Sequence, residues 1–381
     1  MIKNIKLLTV SALSFFSVSF AYAGSYSVEA RGDAMGGVGV VSGTYLTAPF
    51  YNPALVAIYR RNDDAGMILP SIGLNYDDQD KLMDSVDNIS DIIKAVEGGD
   101  TSQESNLAAE LDAMDGSQAK VEVGLAAAIG IPNQYLSMTL FGKVYAETFV
   151  TPDVANDADT LTRAQNTTID AVSVAVSEAG VNVGKYMNFL GQHMAIGISP
   201  KVQRIYTYVY QASVNNFDLT DVDENDNYVN HFNIDAGLLW FYGPVRVGIS
   251  GRNLIAKDIQ TNTFGSSSQS YQYKLEPQYT LGVGLVADYA TISVDYDLNE
   301  LERYVAFNDN TQMLRVGGEI DIMRQLKLRA GYMKNLAYSN SEDTVTAGIG
   351  LSPLGLFEID IAGSYTNEDA MGAYVNFLAT Y

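Results

Sequence analysis

Past the first two dozen residues, the dominant period along the chain is two. In 290–297, Ala290, Ile292, Val294 and Tyr296 fall on one side of an extended strand and Thr291, Ser293, Asp295 and Asp297 on the other. The same beat recurs. Leu314, Val316, Gly318 and Ile320 oppose Arg315, Gly317, Glu319 and Asp321, while Leu326, Leu328, Ala330 and Tyr332 oppose Lys327, Arg329 and Gly331. Phe357, Ile359 and Ile361 oppose Glu358 and Asp360, and Val245, Val247 and Ile249 oppose Arg246, Gly248 and Ser250. A soluble sandwich accounts for any one of these strands. It does not account for nearly every strand being long, with Gly and Ala among the polar positions; a membrane barrel does, with its apolar face toward lipid and its polar face toward a lumen.

Fourteen candidate strands follow: 65–76, 120–131, 135–149, 172–187, 194–212, 228–242, 244–255, 271–288, 289–298, 311–322, 325–335, 344–352, 355–365 and 371–381. Their connections alternate. Tight links fall at Pro132-Asn133, 189–192, Gly243-Pro244, Asp288-Tyr289, Met323-Arg324 and Pro353-Leu354, and the intervening ones are mostly long and polar. An even count with alternating loop lengths predicts an antiparallel transmembrane barrel with short periplasmic turns, long external loops and both termini in the periplasm. The last strand carries Ala373, Val375, Phe377 and Ala379 on one face and ends in Tyr381, resembling the terminal signal read by the barrel insertion machinery. Tyr145, Tyr186, Tyr242, Tyr279 and Tyr365 lie near strand ends, where a phenol suits a membrane interface.

Residues 1–23 read as a secretory signal: Lys3 and Lys6, an apolar stretch from Leu7 to Phe20, then Ala21-Tyr22-Ala23. Its removal leaves 21 basic and 45 acidic residues. So acidic a chain is a poor partner for nucleic acid. Zero Cys among 381 residues excludes thiol catalysis, disulfides and lipoprotein acylation. No mature apolar run is long enough for a transmembrane helix.

Residues 24–62 are Gly-rich, lack periodicity and precede the first strand, as an N-terminal hatch folded into the lumen would; residues 63–381 form the barrel. Within the barrel, 77–117 is an acidic loop whose Leu82, Val86, Ile89, Ile92, Ile93 and Val96 fall near helical spacing, which predicts a helical insertion on the first external loop.

The hatch contains Arg31-Gly32-Asp33 and Phe50-Tyr51-Asn52-Pro53-Ala54. Through these motifs the stretch from Ala30 to Ala57 resembles the start of the TraF-like plasmid conjugal transfer family of outer-membrane proteins. Asn52-Pro53-Ala54 resembles, more distantly, the hatch of the FadL family of long-chain fatty acid and hydrophobic-compound channels. The resemblance implies a barrel of about fourteen strands closed by an N-terminal hatch, and passive uptake of small hydrophobic molecules. A chain without Cys cannot carry the thioredoxin-like chemistry of other proteins called TraF.

Motifs for other chemistry fail. Asp221-Val-Asp-Glu-Asn225 begins like a calcium loop, yet Asp226 stands where Gly is required and Phe232 where the bidentate Glu belongs. Gly282-Val-Gly-Leu-Val-Ala287 sits inside a strand, so it is no dinucleotide fingerprint. His193 and His231 have no nucleophile elbow to serve and read as strand-end or lumen residues. The pairs Asp295 with Asp297 and Glu358 with Asp360 project inward with Glu319 and with Arg246, Arg252, Arg315 and Arg329, which predicts a lumenal charge network rather than a glycosidase pair.

The sequence therefore predicts a non-enzymatic barrel in the outer membrane of a Gram-negative bacterium, without cofactor or metal. Its partners would be outer-membrane lipids and lipopolysaccharide, the insertion machinery and a small hydrophobic ligand. The competing reading is a surface or conjugation-associated component that binds a partner through its acidic loops. Deleting Tyr381 tests the insertion signal: export should continue while the yield of heat-modifiable, folded barrel falls, as read on unboiled gels.

Overall fold

Side chains of opposite polarity point to opposite faces of one closed wall. In the computed structural model, which describes residues 29–59, 65–217, 226–263, 270–305, 307, 309–339, 341–353 and 357–380, apolar residues such as Val123, Leu125, Ile292 and Ile361 stand exposed on the outside. Asp297, Arg329 and Asp360 are buried inside. The signal segment, Tyr381 and the acidic stretch 221–225 lie outside the described residues.

The strands are β1 (Gly66–Asp77), β2 (Ala119–Ile131), β3 (Ser137–Asp153), β4 (Thr168–Phe189), β5 (Gln192–Ser213), β6 (Asp226–Tyr242), β7 (Val245–Arg252), β8 (Lys257–Gln260), β9 (Gln272–Leu275), β10 (Gln278–Val286), β11 (Ala290–Asp297), β12 (Met313–Ile322), β13 (Leu326–Asn335), β14 (Thr344–Leu351), β15 (Phe357–Asn367) and β16 (Ala370–Thr380). Fourteen of them form a closed antiparallel barrel, each paired with its neighbours and β1 closing on β16. The exceptions are β8 and β9, which pair with each other while β7 pairs directly with β10. The single strand expected over 271–288 is therefore two. Pro277 separates them: it lacks the N–H that would carry a ladder through that position. The connection between β15 and β16, Glu368-Asp369, is as tight as any at the opposite rim.

The wall is not of even height. β4 and β5 run 22 residues each, whereas β11 and β14 run eight. About ten residues suffice to cross a bilayer as a tilted strand, so β3 to β6 rise well above the rest. Their upper parts are covered on both faces. Outside, the helices Leu82–Glu97 and Glu104–Met114, with the short helix Thr160–Asn166, set Leu82, Ile89, Leu107, Leu111 and Ala164 against Ala119, Val150, Ile169 and Ala171. Asp78 starts the longer helix by accepting from the amides of Leu82 and Met83 at 2.7 and 3.1 Å.

Inside, the β8–β9 hairpin and the loop after β11 fold down into the mouth. Ile259, Tyr273, Leu275, Tyr304 and Phe307 pack on Phe149, Val172, Val176 and Ile205. The Tyr304 ring stands 5.2 Å from that of Tyr273 and 5.9 Å from that of Phe149. Tyr145 belongs to this cluster. Only 4% exposed, it shares the inward face of β3 with Lys143 and Glu147 and is not at a membrane interface, whereas Tyr186, Tyr242, Tyr279 and Tyr365 are exposed on the outside.

Residues 30–58 pack against the lower inner wall, almost wholly buried. Helical turns at Ala30–Ala34 and Pro53–Ala57 lie against opposite sides: the first against β13 to β16, the second against β3 to β6. Wall glycines permit the approach. A Cβ at Gly331 would stand 2.1 Å from the Gly36 nitrogen, and one at Gly197 would stand 2.2 Å from the Pro53 carbonyl oxygen. Neither distance is sterically possible.

Gly331→Val should accordingly lower the thermal unfolding midpoint of the detergent-solubilised barrel, while Gly363→Val, whose Cβ meets nothing closer than 3.5 Å, should leave it unchanged. Equal midpoints for both variants, measured by circular dichroism, would contradict this seat for residues 35–36.

Candidate functional site

The inward faces of β11 to β15 bring most of the sequence-selected charges together. Arg329 donates to Glu319 at 2.6 Å, to Glu358 at 3.1 Å and to Asp360. Arg31, from the first turn of residues 30–58, completes the cluster with two bonds to Glu319, at 2.9 and 3.0 Å, and a third to the Ser42 carbonyl at 2.7 Å. Lys327 holds Glu358 from the rim side, and Asn376 donates to Asp360 at 3.1 Å. Six charges, three of each sign, thus hold one another where few waters reach, the setting in which bidentate guanidinium pairing is strongest.

Asp295 and Asp297 part company. Asp297 is ion-paired to Arg315 at 2.9 Å and accepts from Thr280 and Gln278. Asp295 instead accepts from two backbone amides, Gly39 at 2.7 Å and Val40 at 2.9 Å. Arg246 and Arg252 do not join a charge network either. They donate to backbone carbonyls of the inner segment, Arg246 to Val41 at 3.1 Å and Arg252 to Phe50 at 3.3 Å, with Arg252 also bonded to Gln278 at 2.5 Å. A non-periodic segment cannot pair its own backbone, so lumenal side chains complete it.

The remaining hatch-motif residues serve that same seat. Asn52 caps the turn at Pro53 by accepting from Ala54 at 3.0 Å and donates to the Val40 and Leu238 carbonyls. Pro53 offers its carbonyl to Asn182 at 3.2 Å, and Tyr51 offers its own to Ser250 at 2.6 Å. Ala54 is fully buried; Phe50 meets Phe141 edge to face at 6.2 Å. Gly32 lies under the Tyr51 ring, with no room for a Cβ, and its amide donates to Glu29 at 2.8 Å. Asp33 is buried in the same turn. Phe377 faces outward, its ring 6.2 Å from Phe357. His193 bonds Tyr186 at 2.6 Å, and His231 the Ile255 carbonyl at 3.0 Å.

Two charge clusters were not singled out from the sequence. Lys201 bridges Glu178 at 3.2 Å and Asp235 at 2.8 Å. Lys120 joins Glu122 at 2.6 Å and also Glu147, to which Arg303 of the inward loop binds at 3.2 Å. Their signal was available, since each wall member holds the inward parity of its strand. Outside the wall strands, burial pushes the carboxyls of Asp78 and Asp309 above their ordinary range, Asp309 despite the pull of Arg303.

Between the inner segment below and the hairpin above lies a cavity of about 60 Å³. Pro49 and Phe50 form its floor, Tyr273, Leu275 and Leu301 its roof, and Lys143, Lys201 and Arg252 stand in its wall. A larger polar vestibule of about 310 Å³ opens beside it at the long-loop rim, lined by Lys120, Asp309, Met313, Met333, Tyr338 and Thr344 among others.

The family model described as F plasmid transfer operon, TraF, protein matches residues 49–297. Among solved structures, the toluene transporter TbuX of Ralstonia pickettii shares the fold with a TM-score of 0.57 at 11% identity, over 96% of this chain and 100% of its own. A deltaS2S3 mutant of the monoaromatic hydrocarbon channel TodX does so with a TM-score of 0.53 at 10% identity, over 94% and 98%. No curated protein sequence matches the chain.

Because Arg329 holds three carboxylates at once, Arg329→Met strands buried charge. It should cost about 3–5 kcal/mol of barrel stability, read as a lowered urea midpoint in detergent. Arg324→Met, an exposed residue at a tight turn, should cost less than about 1 kcal/mol.

Proposed function

We propose that this chain, a member of the F plasmid transfer operon TraF protein family, is an outer-membrane barrel that lets small, partly apolar molecules pass without energy input. The observation that carries the reading is the chamber: a closed barrel whose lumen is filled from one rim by residues 29–58 and from the other by the β8–β9 hairpin, with space left between them. A purely structural barrel has no need of a cavity between two closures. The fold shared with TbuX and TodX, a toluene transporter and a monoaromatic hydrocarbon channel, supports the same reading.

In this reading residues 24–62 are the hatch, the tight turns and both termini face the periplasm, and the tall wall of β3 to β6 stands outside the cell with its helices. The outward apolar face of the lower wall meets lipid. The chamber lining is about as polar as it is apolar, which suits a passenger that is not purely hydrocarbon.

Liposomes carrying the full chain should swell faster than empty ones in isotonic solutions of small organic solutes and no faster in isotonic raffinose. Equal swelling of loaded and empty liposomes in every solute would remove the transport reading. Deleting Gly24 to Arg61 while keeping the signal should leave a foldable wall with markedly higher conductance in planar bilayers, because wall side chains alone do not fill a barrel of this width. A folded deletion variant that conducts no better than the full chain would show that the hatch is not the seal.

A further inference from the structure

The charges around the chamber do not balance pair by pair. Lys201 is held by Glu178 and Asp235, Lys274 by Glu302 at 2.5 Å, and Arg303 by Glu147 and Asp309. Lys143 and Arg252 remain. Neither has a carboxylate within ion-pair distance among the described residues, although Lys143 is only 8% exposed. The carboxylate of the lining closest to Lys143 in charge interaction, Glu178, is already engaged by Lys201 and by Gln203 at 2.9 Å. The Lys143 ammonium rests instead 4.8 Å from the centre of the Tyr145 ring. Glu276, at the outer end of the hairpin, lies beside Lys274.

Removing an ammonium from water is costly unless an opposite charge or a set of acceptors replaces the lost solvent. A ring face returns only part of that. An anion in the cavity beside Lys143 and Arg252 would supply the opposite charge that neither has at ion-pair distance among the described residues. The floor and roof of the same cavity are apolar, with Pro49, Phe50, Leu275 and Leu301 facing the space. At about 60 Å³ the cavity has room for a carboxylate with a short alkyl tail.

We propose that the chamber is a binding site for a short-chain carboxylate, its anionic head held by Lys143 and Arg252 and its tail against Phe50 and Leu275. The inference rests on the transport reading and names the class of passenger that the lumen selects. Because the Arg252 guanidinium also holds the Phe50 carbonyl at 3.3 Å, an anion bound there would contact the group that ties the hatch to the wall.

The test uses propionate, labelled with carbon-13 at its carboxyl carbon, added to the full-length chain in detergent at pH 6.5, with line broadening of the carboxyl signal titrated to saturation. 1-Propanol serves as the neutral counterpart, followed through its methyl signal. Propionate should bind saturably and at least tenfold more tightly than 1-propanol. The double variant Lys143→Gln with Arg252→Gln should bind propionate at least tenfold more weakly, and Lys143→Arg should retain binding, all three proteins being checked for heat-modifiable migration. Equal affinity for propionate and 1-propanol, or an unchanged affinity in a folded double variant, would overturn the proposal. If the double variant fails to fold, the comparison of the two ligands on the unaltered chain still decides. Absent propionate binding combined with faster liposome swelling would remove the carboxylate site alone and leave the passage intact.

Discussion

A barrel of fourteen strands is wider than its own side chains can fill, and everything inside this wall answers to that constraint. Alternation puts a polar residue inward at every second position, so closing the wall confines many charges and amides in one lumen. They have to be paired there. Residues 29–58 supply what the wall lacks: Arg31 for Glu319, backbone amides for Asp295, and backbone carbonyls for Arg246, Arg252, Asn182 and Ser250. In return the wall gives a segment without regular structure the hydrogen bonds it cannot make with itself.

The second consequence is asymmetry. The strands that rise highest, β4 and β5, are buried on both faces near their tops, by loop helices outside and by the inward hairpin inside. Small residues allow it: Ala119, Ala164 and Ala171 let the helices lie close against the wall. The hairpin in turn meets the wall through aromatic edges and stops short of the inner segment, which leaves the chamber. Its position follows from where the tall strands are, since the short strands β11 to β14 offer no apolar inner wall at that height.

Much of this was legible in the residue pattern, and the limits are physical. The two-residue beat across β10 to β16 identifies strand, face and the membership of Arg315, Arg329, Glu358 and Asp360 in the lumen, because parity is a local property. Applied to Lys143, Tyr145 and Glu147, the same parity would have placed that tyrosine inside; its nearness to a strand end was the misleading cue. The β8–β9 hairpin hides because Gln272–Leu275 and Gln278–Val286 differ little in composition, with Pro277 the single break between them. The partners of Arg246 and Arg252 could not be read at all. They are main-chain carbonyls about two hundred residues away, and no side-chain pattern advertises a backbone acceptor.

Hydrogen exchange followed by mass spectrometry on the full-length chain in detergent tests the central claim, that residues 29–58 are a bonded part of the lumen, most directly. Amides such as Gly39 and Val40, bonded to a buried carboxylate, should exchange as slowly as those of the wall strands and far more slowly than the same stretch as an unfolded peptide. Exchange of the whole 29–58 stretch at the rate of an unstructured peptide would contradict the account, because Asp295, Arg246 and Arg252 would then lose the backbone partners assigned to them.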